Sequence, residues 1–262
     1  MQVMTANGVR LNWREDGDPT GLPVVFANSL GTDLRLWDQI LPLLPSGLRI
    51  IRFDKRGHGL SDCPPAPYAM DDLISDTEAL LDGLGISECV FVGLSIGGMI
   101  GQGLAARRPD LIRALVLSNT AAKMGDAAMW QTRIDAIRAG GIEALADAVM
   151  ERWFSPAFLS RPELTAWRNM LTRTPVEGYI GCCQAIAGAD LSNTTRGLTL
   201  PTLAIAGSAD GASPPDLVQG TAAMIEGSQF EVIDGAGHLP CVEEPAAYAD
   251  LLMAFVKEYA DV

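Results

Sequence analysis

From residue 89 to residue 106 the chain carries no charge over eighteen consecutive positions. A stretch of that length invites a membrane reading. Yet it contains five glycines, Ser95 and Gln102, and its character changes halfway. Cys89-Val-Phe-Val92 is an apolar run, Gly93-Leu-Ser-Ile-Gly97 breaks it, and Met99 to Arg107 continues as a helix. The stretch therefore reads as a buried strand, a tight turn and a helix. A strand covered on both faces needs similar neighbours. Apolar runs recur at Leu22 to Ala27, Leu48 to Phe53, 112–117, 200–206 and 230–233, while Val9, Leu11 and Trp13 alternate with polar residues as in a half-buried opening strand. Helical patterns separate these runs; Leu73, Leu80, Leu81 and Leu84 follow the acidic start Asp71-Asp72. The expected class is α/β, with a mostly parallel central sheet and helices on both faces.

The alternation stops between about Ala122 and Gly197. Trp130, Ile134 and Ile137 share one helical face, and Ile142, Leu145 and Val149 share another. This stretch holds three of the five tryptophans and balances eight basic against eight acidic residues, so the rest of the chain carries the whole net charge of −13. It is expected to be a helical lid over 122–197, inserted into a core formed by 1–121 and 198–262. The total of 262 residues accommodates one large domain with such an inserted lobe.

The acidic balance argues against a nucleic-acid partner or a polybasic membrane contact, both of which need clustered cations. The five cysteines lack zinc-site spacing, and the adjacent Cys182-Cys183 pair is a poor disulfide candidate. Reduced thiols and a cytoplasmic location are expected. The opening residues lack the basic start and apolar run of a secretory signal.

Gly93-Leu-Ser-Ile-Gly97 matches G-x-S-x-G, the turn that exposes a nucleophilic serine between a strand and a helix. Its strained backbone leaves no room for side chains two residues either side of Ser95, and Gly98 lets the helix approach the sheet. A serine hydroxyl needs a base, and the chain offers only His58 and His238. His58 lies in Asp54-Lys-Arg-Gly-His-Gly-Leu-Ser61, where the imidazole is expected to serve the turn. His238 lies in Asp234-Gly-Ala-Gly-His-Leu-Pro240, after the last strand, where loops converge on a site. Asp210 follows the 200–206 run and suits the acid that orients the imidazole. The alternative position, after the preceding strand, reads Ser118-Asn-Thr120 and has no carboxylate. Asp216 and Asp234 are the other candidates. The oxyanion hole is expected to use the backbone N–H of Ile96 and that of Leu30, in the loop Ala27-Asn-Ser-Leu-Gly-Thr-Asp33. There Asn28-Ser29 replaces the usual His-Gly pair.

With the elbow, Asp54 to Ser61, Asp210 and Gly-His238 in place, the chain resembles the α/β-hydrolases over its full length. More narrowly, it resembles the 3-oxoadipate enol-lactonases. That resemblance rests on Asn119-Thr-Ala-Ala-Lys-Met-Gly125, Trp130-x-x-Arg133-Ile-Asp, Glu151-Arg-Trp-Phe-Ser-Pro-Ala-Phe158 and Glu177-Gly-Tyr-Ile-Gly-Cys-Cys183. It implies an α/β-hydrolase fold, hydrolysis of 3-oxoadipate enol-lactone in the β-ketoadipate pathway, and neither a cofactor nor a metal. The substrate is then a small anionic lactone, whose carboxylate needs a cation or converging N–H donors. Trp130 and Arg133, one helical turn apart in the neutral lid, are the expected binders, an indole donor beside a guanidinium; Lys123 is the next cation. Another carboxylesterase, lactonase or carbon–carbon bond hydrolase would use the same triad, and a ligand-binding homologue is the alternative outside enzymes.

Overall fold

Burial on both faces explains where the central strands start and stop. The computed structural model describes residues 2–260. Eight strands form one sheet: β1 (Gln2–Ala6), β2 (Val9–Gly17), β3 (Leu22–Ala27), β4 (Leu48–Phe53), β5 (Cys89–Leu94), β6 (Ile112–Ser118), β7 (Thr202–Gly207) and β8 (Gln229–Ile233). Their spatial order is β1-β2-β4-β3-β5-β6-β7-β8. The pairs β1–β2 and β2–β4 are antiparallel, and all others are parallel. Every residue of β5 and β7 is buried, so the middle of the sheet is covered on both sides.

Helices α1 (Met70–Gly83) and α2 (Ile96–Arg107) follow β4 and β5; α9 (Pro215–Ala222), α10 (Pro240–Glu243) and α11 (Pro245–Ala260) follow the last two strands. The chain moves from β3 outward to β4, then returns past β3 to β5. Loops leaving the carboxyl ends of β3 and β5 therefore part at a topological switch point, where such sheets form crevices.

Between β6 and β7 the chain is helical: α3 (Ala127–Gly140), α4 (Ala146–Trp153), α5 (Pro156–Leu159), α6 (Leu164–Thr172), α7 (Val176–Ala187) and α8 (Ser192–Arg196). Trp130, Ile134 and Ile137 form the buried face of α3, at the predicted spacing. The second predicted helix is divided: Gly141, at φ 70°, ends α3, and Ile142–Leu145 is a 3-10 turn leading into α4. The last short helix, α8, is tied to the core, because Thr195 Oγ1 donates to Gln102 Oε1 at 2.7 Å. No helix among the described residues is long and apolar enough to cross a membrane. The five cysteines are free, with only Cys63 exposed.

Candidate active site

The turn at Ser95 is forced by backbone contacts. Ser95 has φ 58° and ψ −119°, and its N–H donates to the Ser118 carbonyl at 2.9 Å. A side chain on Gly93 would strike the Gly97 carbonyl, and one on Gly97 would strike the Ala27 carbonyl. Gly98 meets the Thr120 side chain, whose Oγ1 donates to the Ser95 carbonyl at 2.6 Å. The first turn of α2 is thus pressed against the end of β3. That contact brings the 28–30 loop beside Ser95.

Asp210 and His238 meet at the carboxyl ends of β7 and β8. His238 Nδ1 lies 2.8 Å from Asp210 Oδ2, with both side chains almost fully buried. The second carboxylate oxygen accepts the N–H groups of Ala212 at 2.7 Å and Ser213 at 3.0 Å. Burial alone would raise the Asp210 pKa. The neighbouring imidazole, with hydrogen bonds from His238, Asn119 and the Ser213 N–H, outweighs burial and holds it below its ordinary value. Asp216 and Asp234 are exposed instead, Asp234 accepting from the Ser208 hydroxyl at 3.0 Å.

Ser95 and His238 line one cavity of about 230 Å³. Among the described residues the side-chain partner of His238 Nε2 is the Ser29 hydroxyl, at 3.5 Å. Leu30 also lines the cavity. Among the described residues the N–H groups of Leu30 and Ile96 donate to no protein acceptor, although both residues are buried. For Ile96 this follows from its place as the first residue of α2. Buried donors left open beside a serine suit an acceptor that arrives with a ligand.

The other wall comes from the helical insertion. Trp130, Arg133, Arg152, Trp153 and Tyr179 all face the cavity. The Trp130 indole N–H is already spent on the Met124 carbonyl at 2.6 Å, so only the ring remains as a surface. The Arg133 guanidinium lies over that ring, 5.3 Å from its centroid, and donates to the Tyr179 hydroxyl at 3.2 Å. Arg152 donates to the Gly211 carbonyl at 3.2 Å. Neither arginine has a carboxylate within ion-pair distance among the described residues. Burial, then repulsion from Arg133, lowers the Arg152 pKa from its ordinary value. Two half-buried cations facing each other without an anion form a ready anion site. Lys123 is elsewhere, paired with Asp190 at 3.1 Å on the surface.

His58 does more than serve its own turn. It is fully buried, and its Nε2 accepts the N–H of Gly31 at 2.9 Å, so it supports the neighbouring 28–32 loop. Two residues were missed from sequence. Asn119, at φ 46°, donates through Nδ2 to Asp210 Oδ2 at 2.8 Å and to the Gly237 carbonyl at 3.3 Å. Its signals were its place at the alternative acid position and at the head of the Asn119-Thr-Ala-Ala-Lys-Met-Gly125 motif. Arg152 was visible only as part of the Glu151-Arg-Trp-Phe motif. No group of three His, Cys, Asp or Glu is placed to hold a metal ion among the described residues.

Residues 23–245 match the model of the alpha/beta hydrolase fold family. The chain is 36% identical to 3-oxoadipate enol-lactonase 2 of Acinetobacter baylyi over 98% of its own length and 97% of that protein. Among solved structures, the enol-lactonase of Burkholderia xenovorans LB400 superimposes with a TM-score of 0.94 at 36% identity, covering 98% of this chain and 100% of that one. A thermophilic esterase of Thermogutta terrifontis, solved with malate bound, gives 0.93 at 27% identity, covering 99% of each. An ester or lactone hydrolase is what these relatives and this cavity have in common. The chain belongs to the alpha/beta hydrolase family and, within it, resembles the 3-oxoadipate enol-lactonases from end to end.

Proposed function

We propose that the protein hydrolyses 3-oxoadipate enol-lactone to 3-oxoadipate, as a step of aromatic catabolism through β-ketoadipate. The observation that carries this reading is the unpaired Arg133–Arg152 couple on the same cavity as Ser95 and His238. A neutral ester needs no such cations, whereas a lactone with a side-chain carboxylate does. The full-length likeness to enol-lactonases supports the same choice.

In this reading Ser95 Oγ attacks the ring carbonyl while His238 Nε2 takes its proton, and Asp210 orients the imidazole and stabilises its cation. The oxyanion meets the N–H groups of Leu30 and Ile96. The Ser95–His238 hydrogen bond forms in the Michaelis complex, the imidazole leaving its resting neighbour Ser29. Collapse breaks the ring C–O bond and expels an enolate, a better leaving group than an alkoxide, so the proton from His238 need not arrive early. The leaving group stays tethered to the acyl chain. Recyclisation is blocked once the enol becomes a ketone. Water then attacks the acyl-enzyme with His238 as base, which frees the second carboxylate of the product and restores Ser95.

Residues 122–197 act as the lid over the 1–121 and 198–262 core, and Arg133 with Arg152 holds the substrate carboxylate against the Trp130 ring. The test is hydrolysis of the enol-lactone beside neutral esters and lactones of similar size. The expected result is a kcat/KM for the enol-lactone at least tenfold above the neutral compounds. A preference for the neutral compounds contradicts the reading.

A further inference from the structure

The turn from Asp54 to Ser61 lends no group to the cavity wall, yet it holds a buried ammonium. Lys55 is 3% exposed, and no carboxylate lies within ion-pair distance among the described residues. Its Nζ donates instead to two backbone carbonyls, Ser29 O at 2.6 Å and Thr32 O at 3.3 Å. A buried cation without an anion is costly, and a neutral donor would hold a loop as well. The position of the charge matters more. The Ser29 carbonyl and the Leu30 N–H are the two ends of one planar amide. A cation on the oxygen draws electron density along that amide and makes its N–H a stronger donor.

The geometry points to Lys55 as a positioning residue of the oxyanion hole, polarising the Ser29–Leu30 peptide so that the Leu30 N–H binds the developing oxyanion more tightly. This rests on the serine-hydrolase reading above. It makes the two donors equivalent in kind: Ile96 gains its partial positive charge from the N-terminus of α2, and Leu30 gains its own from Lys55. Lys55 exchanges no proton with substrate. At pH 7 it remains an ammonium through both acylation and deacylation.

Four groups face Lys55: Asp54 and His58 from its own turn, Asp33 from the loop after β3, and Cys182 from α7. Burial lowers the Lys55 pKa to about 8, against the raising influence of Cys182, Asp54 and Asp33. Cys182 is pushed up to about 12 by burial, and His58 is held well below its ordinary value by burial and by Lys55. With its pKa lowered to about 8, Lys55 loses its charge between pH 7 and 9.5.

The test uses a neutral 4-nitrophenyl ester with uncatalysed hydrolysis subtracted, so it does not depend on the identity of the natural lactone. Removing a whole oxyanion donor costs about 10²–10³ in kcat, so weakening one should cost about tenfold. Lys55→Met is expected to lower kcat about tenfold with KM within about twofold. Wild-type kcat/KM is expected to fall about tenfold to a second plateau between pH 7 and 9.5, with its midpoint near the Lys55 pKa. Lys55→Met should stay on the lower plateau throughout. Unchanged kcat in a folded Lys55→Met, or a rise in KM alone, overturns the proposal. Should that variant not fold, the wild-type profile decides: a flat kcat/KM over this range, with the circular dichroism spectrum constant, overturns it. Ser95→Ala separates the two levels. Full turnover there overturns the serine reading and this proposal together, whereas a dead Ser95→Ala beside an unimpaired Lys55→Met overturns only the role of Lys55.

Discussion

The two walls of the cavity are built by different means. On the core side, the backbone leaves no choice: Gly93 and Gly97 cannot carry a side chain, and Ser95 is held at a positive φ by bonds to Ser118 and Thr120. On the insertion side, the groups that face the ligand are side chains held largely by each other, as in the contacts of Arg133 with Tyr179 and Trp130. The two walls join along one short segment. The His238 N–H donates to the Trp153 carbonyl at 2.7 Å, Gly211 and Arg152 are bonded in both directions, and Glu243 accepts from both Ser155 and Gly237. In the proposed reading, chemistry is set by main-chain geometry and recognition by helix side chains. Substrate can change across such a fold while the reaction stays the same.

This division is most sharply tested on the core side. Ser95→Ala and His238→Ala should each lower kcat by about 10⁴-fold or more, for charged and neutral substrates alike. The double variant should be little worse than either single one, because the two residues act as a unit. Steady-state kinetics on both substrates measures this, and additive losses would break the account of a shared mechanism.

A smaller effect is expected one bond further out. Asn119→Ala removes a donor to the Asp210 carboxylate and should lower kcat about tenfold with KM nearly constant. If KM rises instead and kcat holds, Asn119 belongs to the recognition wall.

The smallest effect concerns His58 and appears in stability. Burial, then Lys55, keeps its folded pKa well below 6.5. The unfolded chain takes up a proton on this ring below about pH 6.5 that the folded chain refuses, so the folded state loses ground as pH falls. Its contribution is complete above pH 6.5 and declines by up to about 1.4 kcal/mol per unit below it, until the depressed folded pKa is reached. Urea unfolding at pH 7 and 5.5 should show a weaker pH dependence in His58→Asn than in wild type. An identical dependence would mean that the folded ring takes up its proton as readily as the unfolded one.

How much could be read in advance follows the same division. The bounds of β3 and β4 coincide with the runs Leu22–Ala27 and Leu48–Phe53, although β4 carries Arg49 and a buried Arg52 that is paired with Asp16 and Asp38; β5 runs two residues past its apolar run, to Leu94. Strand β7 starts at Thr202, later than its run, since Pro201 has no N–H for the ladder. Strand β1 was not legible as a strand. Only Ala6 of its five residues is buried, although Asn7-Gly8, both at positive φ, marks the hairpin to β2. The positions of Ser95, Asp210 and His238 were legible because each follows the carboxyl end of a strand, Ser95 directly and the other two in the loops after β7 and β8. Arg152 and the spent indole of Trp130 were not. Which way a side chain on α4 points, and which carbonyl an indole finds, depend on packing between helices that no local pattern encodes.

The division of labour is tested most directly by Arg133→Met, assayed on the enol-lactone and on a neutral ester of similar size. A charge-assisted hydrogen bond in a partly dry site is worth about 1.5–3 kcal/mol. The account predicts a loss of about one to two powers of ten in kcat/KM for the enol-lactone, with the neutral ester almost untouched. Equal losses on both substrates would show that Arg133 supports the fold and reads no carboxylate, and the claim that the insertion recognises the substrate while the core transforms it would fail.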